Sequence, residues 1–160
     1  MQHETRHPAP ENAGTTIRPA RLDDLDAIAH LDAAIFGAGA YPRFFFRQMH
    51  DLFSELLQVA VVDGGVAGYA LGALAAGSAE GWILSTAVHP AERGRGLARR
   101  LVERVAAVLA ARGADEVRLT VEPENAAAIA LYRRLGFEVV DEEADYFGAG
   151  ARRLVMARAV

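Results

Sequence analysis

The segment Val88-His89-Pro90-Ala91-Glu92-Arg93-Gly94-Arg95-Gly96-Leu97-Ala98 joins the end of an apolar run to the start of a long helical pattern. Such a junction suits anion chemistry. The first turn of a helix leaves backbone N–H groups unpaired and carries a partial positive charge. Gly94 and Gly96 let the backbone approach a ligand closely, and Arg93, Arg95, Arg99 and Arg100 add cationic charge. Together these parts suit a phosphate or a pyrophosphate. Two common phosphate loops do not fit. The chain has no G-x-x-x-x-G-K-[ST], which excludes a P-loop NTPase. Gly94-Arg95-Gly96 opens a G-x-G-x-x-G, but Arg99 stands where the third glycine belongs. A metal centre is not expected either, because His3, His7, His30, His50 and His89 show no ligand spacing.

The elements that must position this loop are legible from periodicity. Thr16 to Pro19 reads as a short first strand. Asp23 or Asp24 then caps a helix with Leu25, Ile28, Leu31 and Ile35 on its apolar face, and the stretch Phe36 to Pro42 breaks it. A second helix is predicted from about Pro42 through Phe53, with Phe45, Met49, Leu52 and Phe53 on one side. Leu56 to Val62 and Val66 to Leu74 read as a hairpin around Asp63-Gly64-Gly65. Trp82 to Val88 is a fourth strand. Leu97 to Arg112 is a strong helix stopped by Gly113, and Val117 to Val121 a fifth strand. Ala126 to Leu135 is a short helix between Asn125 and Gly136, and Phe137 to Val140 and Arg153 to Met156 supply the last strands. This order predicts an α/β (α+β) fold: a mixed, mostly antiparallel central sheet of about seven strands with helices on both faces. Residues 1–14 read as a flexible tail and 15–160 as a single domain.

Composition narrows the function classes. At 160 residues, 52% apolar and 24% charged, the chain can bury a full core without disulfide or metal staples, and it has no cysteine. A net charge of −4 speaks against nucleic-acid binding. No apolar run is long enough to cross a bilayer, and Met1 to Pro10 lacks the apolar core of a secretory leader. The expectation is a cytoplasmic protein, monomeric or homodimeric, without a membrane partner. Charge is unevenly spread. Six arginines face the single Glu103 between Arg93 and Arg112, whereas Glu138, Asp141, Glu142, Glu143 and Asp145 form a run with no base.

The run Arg93-Gly94-Arg95-Gly96-Leu97-Ala98, in its strand–loop–helix setting, resembles the acyl-CoA loop of the GNAT family of N-acetyltransferases. Leu119-Thr120-Val121-Glu122-Pro123-Glu124-Asn125, Leu131-Tyr132 and Leu135-Gly136-Phe137 resemble the C-terminal half of the same family. The resemblance implies acetyl-CoA as co-substrate, with no metal. It implies that the fourth and fifth strands splay apart and that the pantetheine arm lies in the gap. The backbone of Ala87 and Val88 would then bond the arm, and the amides of residues 94–98 the pyrophosphate. Asn125 would bond the arm, cap its own helix, or do both. Tyr132, two turns past Asn125, would face the same side and act as the general acid for the departing thiolate.

The acceptor amine must be neutral to attack. A lysine of pKa about 10.4 needs roughly 4–5 kcal/mol for this at pH 7, an α-amine of about 7.7–8 only about 1. Where the branch that acetylates protein N-termini, ribosomal-protein alanines included, often has a glutamate, this chain has Thr120. Glu122 shares that strand face and is the candidate base, directly or through water, with Glu80 and His89 behind it. Asp145-Tyr146-Phe147-Gly148 also resembles that branch, which puts Tyr146 in a loop over the substrate. Tyr41 and Phe45 are expected to edge the acceptor cleft. The acceptor is therefore expected to be a peptide or protein N-terminus. A small amine or aminoglycoside-like compound comes second, and a non-catalytic acyl-CoA-binding sensor domain is the reading from another class.

Overall fold

The structure, a computed structural model, describes residues 14–160, so the expected tail lies outside the described residues but for Gly14. The strands are β1 (Thr15–Pro19), β2 (Leu57–Val62), β3 (Gly65–Leu74), β4 (Glu80–Val88), β5 (Glu116–Val121), β6 (Glu138–Glu143) and β7 (Arg153–Ala159). The helices are α1 (Leu25–Phe36), α2 (Arg43–Phe53), α3 (Leu97–Ala111) and α4 (Ala126–Arg134). The seven strands form one sheet in the order β1-β2-β3-β4-β5-β7-β6. All neighbours are antiparallel except β4 and β5, which the α3 crossover makes parallel. The mixed sheet with helices on both faces is thus as expected.

Asp63 and Gly64 make the tight turn between β2 and β3, both at positive φ (49° and 83°), as a two-residue hairpin requires. The α3 stripe of Leu97, Leu101, Val102, Val105, Ala106 and Leu109 is buried on one face of the sheet. Gly72 and Gly81 make that contact close. A Cβ on Gly72 would lie 2.6 Å from Val105 Cγ1, and one on Gly81 2.9 Å from Leu109. On the other face Leu25, Ile28 and Leu31 of α1 and Phe46 of α2 cover Leu57, Val59, Tyr69 and Leu71.

Three local expectations change. The buried stripe of α2 centres on Phe46, flanked by Phe45, Met49 and Phe53, while Leu52 falls off its edge and is 68% exposed. A 3₁₀ turn, Leu22–Asp24, precedes α1. The Asp24 carboxylate does not cap α1; it turns back to accept from Arg21 N (2.7 Å) and from Arg18 Nη1 and Nη2 (2.6 and 3.1 Å). Finally β6 runs Glu138–Glu143 instead of 137–140, so the acidic run is largely an exposed edge strand, paired among the described residues with β7 alone.

Candidate active site

One extra residue in β4 opens the sheet. The β3–β4 register passes from Leu71↔Ser85 to Gly72↔Ile83, leaving Leu84 as a bulge. Strict alternation would set Ile83 and Ser85 on the same face. The bulge reverses that parity. Ile83 enters the α3 layer, Ser85 and Ala87 face the α1–α2 layer, and Thr86 and Val88 return to the α3 side. The β4–β5 ladder ends at Ile83↔Leu119. Past it, among the described residues, the edge of residues 84–88 has no strand partner, and β5 continues beside β7 alone.

A cleft of about 650 Å³ occupies this gap, lined from β4 by Leu84, Ser85 and Thr86 and from β5 by Leu119 to Glu122. Asn125, Ala128 and Tyr132 close it on the α4 side; Ile35, Phe36, Tyr41, Phe147 and Arg153 border it as well. Its polar groups therefore come from both layers. Of the residues singled out by sequence, Tyr132, Glu122, Asn125 and Tyr41 meet here. Phe45 does not line the cleft but stacks on Tyr41 (4.2 Å between centroids, 16°). Tyr146 likewise stands behind Phe147, edge-on at 4.7 Å.

Tyr132 lies edge-on to Phe137 at 6.0 Å, packed on the α3-side core. Burial pushes its phenol above the usual range, and the neighbouring Thr86 hydroxyl pulls the other way. Thr86 Oγ1 is itself buried without a hydrogen bond of ordinary geometry among the described residues. A polar atom left so, beside an open strand edge, fits a ligand with polar groups. Asn125 caps α4, its Oδ1 accepting from Ala128 N at 3.1 Å. The Glu122 side chain is 61% exposed and meets Arg153 Nη2 at 3.4 Å.

The glycine loop leads into α3 beyond the end of β4. Gly94 and Gly96 hold φ of 79° and 72°, with nothing within 4 Å of where a Cβ would stand. Gly96 precedes α3 without a side-chain cap, and the first intrahelical bond runs from Arg100 N to Gly96 O at 3.1 Å. The amides of Leu97, Ala98 and Arg99 have no partner within the helix. Leu97 is buried, Arg93 is exposed, and Arg95 is paired with Glu92. These residues fit a diphosphate through main-chain nitrogen more than through guanidinium charge.

Two candidate bases are kept away. His89 Nδ1 accepts from Ala91 N at 3.1 Å and caps the turn before the glycine loop. Glu80 begins β4, at its far end, 3.3 Å from Arg118 Nη2. Ser85, Thr86, Phe147 and Arg153 escaped sequence reading. For Ser85 and Thr86 a signal existed, two adjacent hydroxyls in an otherwise apolar strand, but their facing depends on the bulge.

Such an arrangement can hold an acyl thioester along an unpaired strand edge, diphosphate on a helix N-terminus, with a phenol nearby. A family profile described as "Acetyltransferase (GNAT) family" matches residues 25–137. An N-alpha-acetyltransferase of Saccharolobus solfataricus is 30% identical over 154 residues, which cover 89% of this chain and 92% of that protein. The crystal structure of Ard1 from Thermoplasma volcanium superposes with a TM-score of 0.82 at 25% identity, covering 92% of this chain and 98% of that one. The ribosomal-protein-S18-alanine N-acetyltransferase of Escherichia coli gives 0.77 at 26% identity, covering 91% and 94%. With its open β4–β5 edge and its profile match across most of the fold, the chain belongs to the GNAT family of acetyltransferases.

Proposed function

We propose that the protein transfers an acetyl group from acetyl-CoA to the α-amine of a peptide or protein N-terminus, by direct attack. The observation that carries this reading is the gap in the sheet, which is polar on both sides. Thr86, Asn125 and Tyr132 stand toward the α3–α4 layer, and Ser85, Tyr41, Glu122, Arg153 and Phe147 border the rest. In this reading acetyl-CoA enters from the first side and the amine from the second.

The amides of Gly94 to Ala98 hold the diphosphate, helped by Arg93, while Arg95 stays with Glu92. The open backbone at Ala87 and Val88 bonds the pantetheine arm, and Asn125 adds its remaining amide group. Tyr132 returns a proton to the thiolate as the tetrahedral adduct collapses. A phenol held above its usual range stays protonated at neutral pH, as an acid must. On the acceptor side Glu122 draws the cationic amine, and Tyr41 and Phe147, backed by Phe45 and Tyr146, shape the mouth. An α-amine needs only about 1 kcal/mol to lose its proton at pH 7, against roughly 4–5 for a lysine. That suits a cleft whose lining carboxylate, Glu122, is exposed and ion-paired. The relatives named for N-alpha-acetylation point the same way. The reading carries a cytoplasmic location, where acetyl-CoA meets newly made N-termini.

The test is a panel of short peptides with free or blocked N-termini, with and without lysine, beside small polyamines and aminoglycosides. Acetyl-CoA is the donor, and mass spectrometry locates the acetyl group. Acetylation of the α-nitrogen of free peptides is expected. Turnover confined to small amines, or to lysine side chains, would overturn the peptide assignment.

A further inference from the structure

A buried carboxylate in α1 remains unused by this account. Asp32 is fully buried, on a helix face otherwise formed by Leu25, Ile28 and Leu31. Its Oδ2 accepts from Tyr41 N at 2.7 Å and its Oδ1 from the Tyr69 hydroxyl at 2.5 Å. Tyr69, in β3, is also fully buried, and its oxygen lies 2.7 Å from Ser85 Oγ. Ser85 is half-buried and lines the cleft. Because Tyr69 gives its only proton to Asp32, the Ser85 hydroxyl must donate to the Tyr69 oxygen. The Ser85 lone pairs are then free toward the cleft. An unbroken chain of hydrogen bonds leads from the cleft to a carboxylate with no ion pair among the described residues.

We propose that Ser85 takes a proton from the acceptor ammonium, and that Tyr69 and Asp32 behind it carry the charge into the core. The inference deepens the acetyltransferase reading and rests on it. The balance is one proton per bond. An ammonium N–H breaks and a Ser85 O–H forms; the Ser85 proton passes to Tyr69; the Tyr69 proton passes to Asp32 Oδ1. Ammonium and carboxylate become amine and carboxylic acid, and no tyrosinate forms, which matters because burial and Asp32 hold that phenol far above its ordinary range. Burial also raises the Asp32 carboxyl above the usual range, which favours its taking the proton. After attack the nitrogen releases its second proton to solvent, Tyr132 gives its proton to the departing thiolate, and solvent restores the phenol. Asp32 then releases its own proton to solvent by the reverse hops.

A merely structural anchor would need the Tyr69–Asp32 bond, but not a hydroxyl at the cleft wall. The bulge at Leu84 is what turns Ser85 to this face, one residue before Thr86 turns to Tyr132. The proton-accepting chain and the Tyr132 phenol thus meet adjacent residues of one strand, Ser85 and Thr86, on opposite layers. Other groups that face the chain are the Tyr41 phenol from the loop before α2, with Tyr146 near it, and Glu122 of β5 and Arg153 of β7 across the cleft. Ser85 is a catalytic residue in this account; Tyr69 and Asp32 are positioning residues that act through it.

The test compares wild type, Ser85→Ala, Ser85→Thr and Tyr69→Phe by acceptor kcat/KM, from two pH units below the acceptor pKa to one above. The acceptor is whichever amine the wild type acetylates fastest in the panel above. Ser85→Ala and Tyr69→Phe are expected to lose about 100-fold at the low-pH end. That deficit should shrink at least about tenfold at the high-pH end, where the amine is neutral unaided. Ser85→Thr should recover most of the rate, and calorimetry should show Ser85→Ala binding acetyl-CoA as wild type does. Tyr69→Phe keeps the ring that meets Phe46 edge-on at 5.3 Å, and Ser85→Ala carries the test should Tyr69→Phe fold poorly. Rates within twofold of wild type, or a deficit constant with pH, would each overturn the relay. A small-amine acceptor would overturn the peptide assignment but leave this comparison intact, so the two failures are distinct.

Discussion

The Tyr132 hydroxyl meets Thr86 at the edge of the cleft while its ring rests on Phe137. Tyr132→Phe keeps the ring and its packing and removes only the proton donor. Steady-state kinetics should show kcat lowered about 100-fold, and calorimetry should show acetyl-CoA affinity within about twofold of wild type. Equal turnover would remove the acid from Tyr132. At this scale the sequence was informative where chemistry lies in a short run. Asn125 and Tyr132 share one helical face, and Gly94 and Gly96 sit in one loop. It was silent where partners are far apart. Asp32 and Tyr69 are 37 residues apart, and Tyr69 and Ser85 are 16 apart. No local spacing joins them. The one sign in the chain was a carboxylate on the apolar stripe of α1, between Ile28 and Ile35.

Two elements make the site possible: the bulged strand β4 and the uncapped start of α3. The second gives a direct prediction. Gly96→Asp puts a side chain and a negative charge where φ is 72° and where the amides of Leu97 to Arg99 stand unpaired. Both backbone strain and repulsion of a diphosphate oppose binding. Titration calorimetry should show acetyl-CoA binding weakened at least about tenfold, corresponding to about 1.4 kcal/mol. Unchanged affinity would move the diphosphate elsewhere. The helix α3 was fully legible because its period of 3.6 residues is local and its buried face is wide. The end of β6 was not. All six of its residues are exposed and four are acidic, so it reads as a solvated loop. Pairing with β7 makes it a strand, and pairing is non-local. The bulge at Leu84 was hidden for the same reason, since it exists only relative to β3.

For the molecule as a whole, the sheet is a partition with one opening. Its two hydrophobic layers are separate, one under α3 and one under α1 and α2, and a cleft lined from both opens where β4 and β5 part. Splayed strands were implied by family resemblance, and the ladder that stops at Ile83↔Leu119 accounts for them in hydrogen bonds. The central claim is that donor and acceptor reach this opening together from opposite layers. A conjugate joining the α-nitrogen of a short peptide to the CoA sulfur through an acetyl link tests it most directly. If both sites are engaged at once, the conjugate should bind at least about 100-fold more tightly than CoA alone and compete with both substrates. A conjugate that binds no better than CoA, or that free peptide cannot displace, would contradict it.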